Sequence, residues 1–237
     1  MVQVVTRGLD VNDYRWFCDE EIHRLRQASE EIIWLIDRGY RLEHVVKFVG
    51  ERYQFSIRQR EALKRSVCTS HQKLKRLAKQ LSLSDMKGQH IYIDGFNLII
   101  LLEVALSGGT LISGYDEQIR DLAGLRGSYK IIEQTTAAIK LIGKWLEYGE
   151  PKDVVIYLDA PISNSIQLKQ LILKNSQEWP FQLEVEVLEK VDALLMRQFY
   201  VISSDAVILD ACKSYFNFLK EIVERERLVT SCYQLTN

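Results

Sequence analysis

Three aspartates each follow a short apolar run, which is the pattern of a carboxylate at the end of a buried strand. They are Asp94, Asp159 and Asp205. In an open parallel sheet the carboxyl ends of the strands share one edge, and ligands bind outside that edge. Carboxylates gathered there raise one another's pKa unless a cation neutralises them. Hard oxygen ligands without Cys or His favour Mg²⁺ or Mn²⁺, so the pattern suits phosphoryl chemistry.

Each aspartate also has a purely structural interpretation. An aspartate after a strand is often the N-cap of the next helix, and for Asp94 taken alone that interpretation is favoured. The three together, with Gly95 and Asn97 directly after Asp94, favour a shared site instead. Asp192, at the head of a short amphipathic segment, is a fourth candidate, and its alternative is again a helix cap.

The elements that position these residues follow from the apolar pattern. The first 150 residues contain no proline, and the pattern predicts helices over residues 12–37, 42–53 and 56–81, followed by a polar linker over 82–88. Beyond Gly88, strands are predicted over residues 91–93, 154–158, 181–188 and 200–202, with a last one within 227–234. Helices are predicted between them over residues 98–106, 131–148, 166–174 and 206–225. This alternation predicts an α/β fold, a doubly wound and mainly parallel sheet flanked by helices, after a small all-α domain. The domains are expected at residues 1–84 and 85–237.

The charge is distributed unevenly along the chain. The 31 basic and 32 acidic residues nearly cancel, but residues 41–79 contain eleven Lys or Arg against three Glu. Basic side chains concentrated on one helix are typical of phosphate binding, which predicts a nucleic-acid contact through Arg58, Arg60, Lys64 and Arg65. The alternative is a solvated or protein-facing helix surface, in which case the helical domain would serve dimerisation or partner docking.

Residues 107–130 form a glycine-rich stretch that contains Asp116 and Arg120. The stretch has neither a P-loop nor a dinucleotide-binding fingerprint. A long glycine-rich loop in a compact domain is often functional, so Arg120 is assigned to substrate positioning. A flexible surface excursion is an equally good interpretation.

Composition and hydropathy exclude several classes of protein. The 47% hydrophobic and 27% charged residues are ordinary for a globular chain and exclude disordered and collagen-like classes. No signal-peptide pattern opens the sequence, and its longest apolar run is too short to cross a bilayer. The four cysteines are scattered without metal-ligand spacing. We therefore expect a cytoplasmic protein with reduced thiols and no membrane partner.

A family resemblance is carried by three short motifs in order. The sequence Asp-Gly-Phe-Asn at 94–97 resembles the DGxN opening of PIN-like nucleases of the NYN type. The sequence Val-Asp-Ala-Leu-Leu at 191–195 resembles their D-A-L-I helix start, and Ser-Ser-Asp at 203–205 resembles their T/S-x-D strand end. The resemblance covers about residues 89–237. Together with the basic helical region, the chain is also similar to a prokaryotic two-domain family of no known function.

The resemblance implies a PIN-like sheet and a metal-dependent ribonuclease. By position, Asp94, Asp192 and Asp205 would be ligands of Mg²⁺ or Mn²⁺, with Asp159 assisting at the site. Asn97 would orient a ligand or phosphate, and Ser203 or Ser204 would supply a hydroxyl near the metal. The implied partner is RNA, and a homodimer is left open.

Two other classes of function are considered as alternatives to the ribonuclease. The main alternative is a catalytically inactive PIN-like domain that acts as an RNA-binding or adaptor protein. Other acid-cluster α/β enzymes are less favoured. A haloacid-dehalogenase-type phosphatase needs a second aspartate where this chain has Phe96, and a response-regulator receiver has no need for a basic module.

Overall fold

The computed structural model describes residues 6–125, 127–228 and 231–236. Its N-terminal part is helical, as the sequence predicts. The helices are α1 (Asp13–Trp16), α2 (Asp19–Ile36), α3 (Leu42–Arg52), α4 (Ile57–Ser66) and α5 (Ser70–Leu77). The predicted helix over 12–37 is wrong in one respect, because it is interrupted between α1 and α2. There Phe17 is buried against the ring of Tyr233, at 5.3 Å between centroids, and Cys18 has extended backbone.

The predicted helix over 56–81 is also wrong as a single element. It divides between α4 and α5, where Val67 is extended and Thr69 begins α5 with a capping box completed by Gln72. The predicted apolar stripe fails at Ile57 and Leu74, which are 82% and 68% exposed, because no one helix face runs through both segments. The end of the segment is strand β1 (Gln80–Leu81).

The predicted polar linker over 82–88 is instead a packed turn. Leu83–Met86 forms a single 3₁₀ turn in which both end residues are buried. The Met86 side chain lies against Gly149, where an added Cβ would approach its sulfur to 2.4 Å. The turn therefore belongs to the core of the α/β part.

The C-terminal part is an α/β structure built on six parallel strands. Its further strands are β2 (His90–Asp94), β3 (Leu111–Ser113), β4 (Ile119–Asp121), β5 (Asp153–Asp159), β6 (Gln182–Leu188), β7 (Val201–Ile202), β8 (Tyr215–Phe216) and β9 (Cys232–Gln234). Its helices are α6 (Gly95–Leu106), α7 (Glu133–Gly149), α8 (Ser165–Asn175), α9 (Val191–Leu195), α10 (Ala206–Ala211) and α11 (Phe218–Glu226). The main sheet has the order β1-β8-β7-β2-β5-β6, and every pairing in it is parallel. The expected mainly parallel α/β sheet, with a helical region before it, is confirmed.

Two further predictions need correction. The predicted helix over 206–225 is interrupted by β8, because Tyr215 and Phe216 are buried and pair with β1 on one side and β7 on the other. The glycine-rich stretch is not a free excursion. It contains β3 and β4, which form a second small sheet with β9 in the order β4-β3-β9. The last strand predicted within 227–234 is β9, and residues 229 and 230 of that range lie outside the described residues.

The helical region and the α/β part share apolar contacts. The core of the helical region, built on α2, α3 and α4, also contains Ile112, Leu122 and Leu235. β1, which follows α5 directly, forms an edge of the main sheet. Within the described residues, no helix combines the length and the apolar character needed to cross a bilayer.

Gly95, the first residue of α6, is required by a close approach of this helix to β5. A Cβ built on Gly95 would lie 2.7 Å from methyl groups of Ile156 and Leu158, and 2.9 Å from the carbonyl oxygen of Tyr157. The backbone oxygen cannot turn away as a side chain can. The glycine of the 94–97 motif therefore lets the helix begin directly against the neighbouring strand.

We predict that Gly95→Ala lowers the free energy of unfolding by about 1–3 kcal/mol, the usual cost of inserting a methyl group into a packed site. Urea unfolding followed by circular dichroism would measure the loss. Unchanged stability would show that the α6–β5 contact yields easily and that Gly95 is not selected by packing.

Candidate functional site

Four aspartates lie at the carboxyl edge of the main sheet. Asp94 ends β2, Asp159 ends β5, and Asp205 follows β7 by three residues. β2 lies between β5 and β7, so these three come from adjacent strands. Asp192 lies in α9, which follows β6 on the far side of β5. The topology therefore brings all four to the edge at which parallel α/β sheets bind ligands.

Hydrogen bonds join the 94–97 motif to the 203–205 motif. Ser203 Oγ donates to Asp94 Oδ2 at 2.8 Å, and the backbone N–H of Asp205 donates to Ser203 Oγ at 3.1 Å. Asn97 Oδ1 accepts from the backbone N–H of Ser204 at 2.9 Å and from its hydroxyl at 3.0 Å. Ser203 therefore joins the Asp94 carboxylate to the backbone of Asp205, and Asn97 fixes the loop that carries Asp205.

The helix-cap interpretation holds for two of the acids and is wrong for a third. Asp94 is the N-cap of α6 and accepts from the N–H of Asn97, while Asp205 is the N-cap of α10 and accepts from two N–H groups. Asp192 lies inside α9, whose N-cap is Lys190. Its carboxylate therefore has no capping role. Capping by Asp94 and Asp205 fixes their rotamers without neutralising their charges.

The acids influence one another's protonation. Burial, together with the negative charges of Asp205 and Asp159, raises the pKa of Asp94 from 3.8 to about 7, against the opposing hydrogen bond from Ser203. Burial and the charge of Asp192 raise the pKa of Asp159. Burial and the charge of Asp205 raise the pKa of Asp192. Each carboxylate thus lies within electrostatic range of two others.

The donor set fits a hard divalent cation by its chemistry. Within the described residues none of the four acids forms an ion pair with Lys, Arg or His, whereas the three buried carboxylates outside this group, Asp13, Glu103 and Asp116, each pair with an arginine. Carboxylate, amide and hydroxyl oxygens at one edge are the ligands that Mg²⁺ and Mn²⁺ prefer. No three His, Cys, Asp or Glu side chains converge closely enough to form a ready ligand group among the described residues. The site thus has the required charge without a preassembled ligand cage.

Two of the residues predicted to bind nucleic acid lie beside the acids. Lys64 and Arg65, on α4, line a cleft of about 340 Å³ together with Asn97, Ser204 and Asp205. Lys64 is 44% exposed and lies 3.8 Å from its nearest carboxylate, Glu43. Arg65 is 36% exposed and 3.5 Å from Asp121. Lys64 and Arg65 are the basic wall of this cleft, which is also lined by Arg120 and by the carboxylates of Glu61, Asp121 and Asp205.

The other two predicted nucleic-acid contacts are engaged inside the protein. The Arg58 guanidinium pairs with Asp13, at 2.5 Å from Nε to Oδ1, and also donates to the carbonyls of Leu122 and Gly8. Arg60 Nε donates to the carbonyl of Phe55 at 3.0 Å. The structure gives Arg58 a packing role, since a buried cation needs its partner.

Part of the basic segment over residues 41–79 is engaged by groups from elsewhere in the chain. Arg52 pairs with Glu31, and Arg76 pairs with two aspartates of the α/β part. Lys79 Nζ donates to the carbonyls of Leu209, Asp210 and Cys212. The uneven charge along the sequence is therefore partly complementarity between two packed parts of one molecule.

Arg120, assigned from the sequence to substrate positioning, forms a buried ion pair with Asp116, with two hydrogen bonds of 2.7 and 2.8 Å. Its Nε donates to the carbonyl of Ser204 at 3.2 Å, so it also contacts the loop of the site. Sequence reasoning missed Asp116 as its partner. The four-residue spacing of two opposite charges was the signal that could have found the pair.

The raised pKa of Asp94 makes stability depend on pH. The folded state holds the proton up to about pH 7, whereas the unfolded chain releases it near 3.8, so the contribution of Asp94 to stability falls as the pH rises between these values. We predict that Asp94→Asn, in a metal-free buffer, is more stable than wild type above pH 7 by up to about 4 kcal/mol, and that this gain disappears near pH 4.

Urea unfolding across this pH range would measure the gain. Asp153→Asn is the matched control, because Asp153 begins the strand that Asp159 ends and pairs with His90 at the opposite edge. A gain in Asp94→Asn that does not vary with pH would contradict the raised pKa.

Comparisons with known proteins match two parts of the chain. Residues 83–221 match the family described as "Domain of unknown function (DUF5616)", and residues 24–79 match "Protein of unknown function (DUF434)". A relative, "Uncharacterized protein MJ0935" of Methanocaldococcus jannaschii, is 32% identical over 203 residues, which are 84% of this chain and 97% of that protein. No solved structure matches the chain significantly. All four acids, Asn97 and both serines lie within the first match, and the chain belongs to the DUF5616 family.

Proposed function

We propose that this protein is a metal-dependent ribonuclease with a PIN-like site at the carboxyl edge of its sheet. The observation that supports this most is the gathering of four aspartates without a basic partner in the described residues, with Ser203 joining the Asp94 carboxylate to the backbone of Asp205. Such uncompensated negative charge at the ligand-binding edge is most simply explained by a cation. The order of the three short motifs supports the PIN-like relationship.

Each residue has a role in this proposal. Asp94, Asp192 and Asp205 would hold Mg²⁺ or Mn²⁺. The ion would polarise the phosphodiester and lower the pKa of the attacking water. Asp159, partly exposed and with a raised pKa, would accept a proton from that water. Asn97 keeps Ser204 and the Asp205 loop in place through its side-chain oxygen.

The cleft beside the acids indicates where an RNA backbone would lie. Lys64 and Arg65 line it together with Asp205, so phosphates adjacent to the scissile bond would meet positive charge. The RNA contact proposed here involves two of the four residues expected from the sequence. Arg58 is paired with Asp13, and Arg60 donates to the carbonyl of Phe55. The helical region would contribute one wall of the substrate cleft.

The second candidate function is an RNA-binding or adaptor protein without catalysis. It is favoured by one observation, that no three acidic or imidazole side chains of the described part form a ready metal group. In that case the acids would be a remnant of the site, and the basic wall would still bind RNA. Retained affinity for Mn²⁺ separates the two candidates.

Asp94→Asn tests the chemistry. We predict that the variant folds but loses Mn²⁺ affinity by at least about tenfold, or ~1.4 kcal/mol, because an amide lacks the charge that a divalent ion requires. Isothermal titration with Mn²⁺ and cleavage of a labelled single-stranded RNA in Mg²⁺ or Mn²⁺ are the measurements. Asp153→Asn should behave as wild type in both.

A wild-type protein that binds RNA but cleaves none with either metal would refute the nuclease and support the adaptor. Equal Mn²⁺ affinity in wild type and Asp94→Asn would exclude Asp94 as a ligand.

The basic wall gives a separate prediction. Lys64→Ala combined with Arg65→Ala should weaken RNA binding and flatten its log–log salt dependence by about 0.7 for each phosphate that the protein no longer neutralises. Fluorescence anisotropy over a salt series would measure the slope. The control is Lys47→Ala combined with Lys75→Ala, which removes two exposed lysines of the same basic segment that do not line the cleft. Identical slopes in the two double variants would place the RNA contact elsewhere.

A further inference from the structure

A buried cluster of charges lies outside the acid site. Asp116, 1% exposed, is between β3 and β4 and receives both Nη atoms of Arg120 at 2.7 and 2.8 Å. Arg76 of α5, 2% exposed, donates from Nη1 to the same carboxylate at 2.5 Å. One carboxylate thus holds two guanidinium groups, one from the helical region and one from the α/β part.

The two arginines contact the backbone on either side of Asp205. Arg120 Nε donates to the carbonyl of Ser204 at 3.2 Å, and Arg76 Nη2 donates to the carbonyl of Ala206 at 3.3 Å. Arg76 Nε also donates to Asp210 at the other end of α10, at 2.7 Å. The carbonyls before and after Asp205 are therefore both bound to arginines held by Asp116.

We infer that Asp116, through Arg76 and Arg120, positions Asp205 for the candidate site, and that the helical region completes this site from α5. The use of the site for a cation rests on the proposed function, whereas the positioning of the loop does not. Asp116 is a positioning residue, because it acts through the two arginines.

Electrostatics and strand length explain why this loop needs support. β7, the strand before Asp205, is only two residues long, so the sheet itself holds the loop weakly. The negative charge of Asp192 repels that of Asp205 when no cation is bound. Arg120 and Arg76, held in place by Asp116, oppose this repulsion through their buried hydrogen bonds to the carbonyls of Ser204 and Ala206.

The glycine at position 114 is fitted to this cluster. A Cβ built there would lie 2.7 Å from Arg120 Nη1, 2.8 Å from Asp116 Oδ1 and 3.2 Å from the carbonyl of Ser66. The N–H of Tyr115 donates to that same carbonyl at 2.7 Å. The glycine-rich stretch is thus packed against the end of α4 in a way that leaves room for the ion pair.

The test compares Asp116→Asn with Asp13→Asn. Asp13 is a second buried carboxylate, paired with Arg58 and accepting from Thr110, and it joins the same two parts of the molecule without contacting the 203–206 loop. A general decrease in stability should therefore affect both variants. We expect Mn²⁺ affinity to fall about tenfold in Asp116→Asn only, as for residues that support metal ligands. Hydrogen exchange of the 203–208 amides should also accelerate only there.

Arg76→Lys is the milder variant in case Asp116→Asn does not fold. It keeps a cation near Asp116 but cannot bind Asp116, Asp210 and the Ala206 carbonyl in one planar fork. We expect faster exchange at 203–208 and a smaller loss of Mn²⁺ affinity.

The inference is overturned if Asp116→Asn and Arg76→Lys match Asp13→Asn in exchange at 203–208. A wild-type protein that binds no Mn²⁺ refutes the proposed function alone, and exchange then decides the positioning role by itself. Faster exchange confined to 203–208 supports it, and uniform exchange refutes it.

Discussion

The ion pairs of buried Asp116 are the interaction on which the arrangement of the rest depends. An isolated carboxylate at 1% exposure would be strongly destabilising, and burial alone would raise the pKa of Asp116. The charges and hydrogen bonds of Arg120 and Arg76 outweigh burial and lower that pKa instead. Arg120 from β4 donates to both oxygens of this carboxylate, and Arg76 from α5 adds a further charged hydrogen bond only when the helical region is docked on the α/β part. The position of the acid site therefore depends on how the helical region packs against the α/β part.

The same molecule treats its buried acids in two opposite ways. Asp13, Glu103 and Asp116 each have an arginine partner, while Asp94, the buried acid at the carboxyl edge of the sheet, has none in the described residues. Packing alone would favour pairing Asp94 as well, because an unpaired buried carboxylate costs stability. The contrast within one chain separates acids that hold the fold together from acids that a ligand would have to neutralise.

The sequence predicted which strands end in an aspartate because the pattern that indicates this lies within a few consecutive residues. An apolar run followed by Asp fixes β2 and β5, and the motif at 94–97 contains both the glycine that α6 needs and the amide that binds Ser204. Prediction from the sequence failed where a local pattern fits both a helix and a strand, or where the two residues of an ion pair are far apart in the sequence. Tyr215 and Phe216 fit a helical period as well as a strand, and the capping box at Thr69 was hidden in a continuous basic pattern. No rule of spacing connects Arg76 to Asp116, forty residues away, so the basic excess favoured nucleic acid over a protein-facing surface.

β1 lies at the boundary between the two segments that match known families, and it belongs to the main sheet. Its two residues, Gln80 and Leu81, lie in the interval between the matched segments, yet they form an edge of the six-stranded sheet and cover β8. A chain divided at that interval would leave the N–H and C=O groups of β8 unpaired on one side, and exposed strand edges promote association between chains. An α/β part produced without the helices would therefore have to begin no later than Gln80 to keep this edge of the sheet covered.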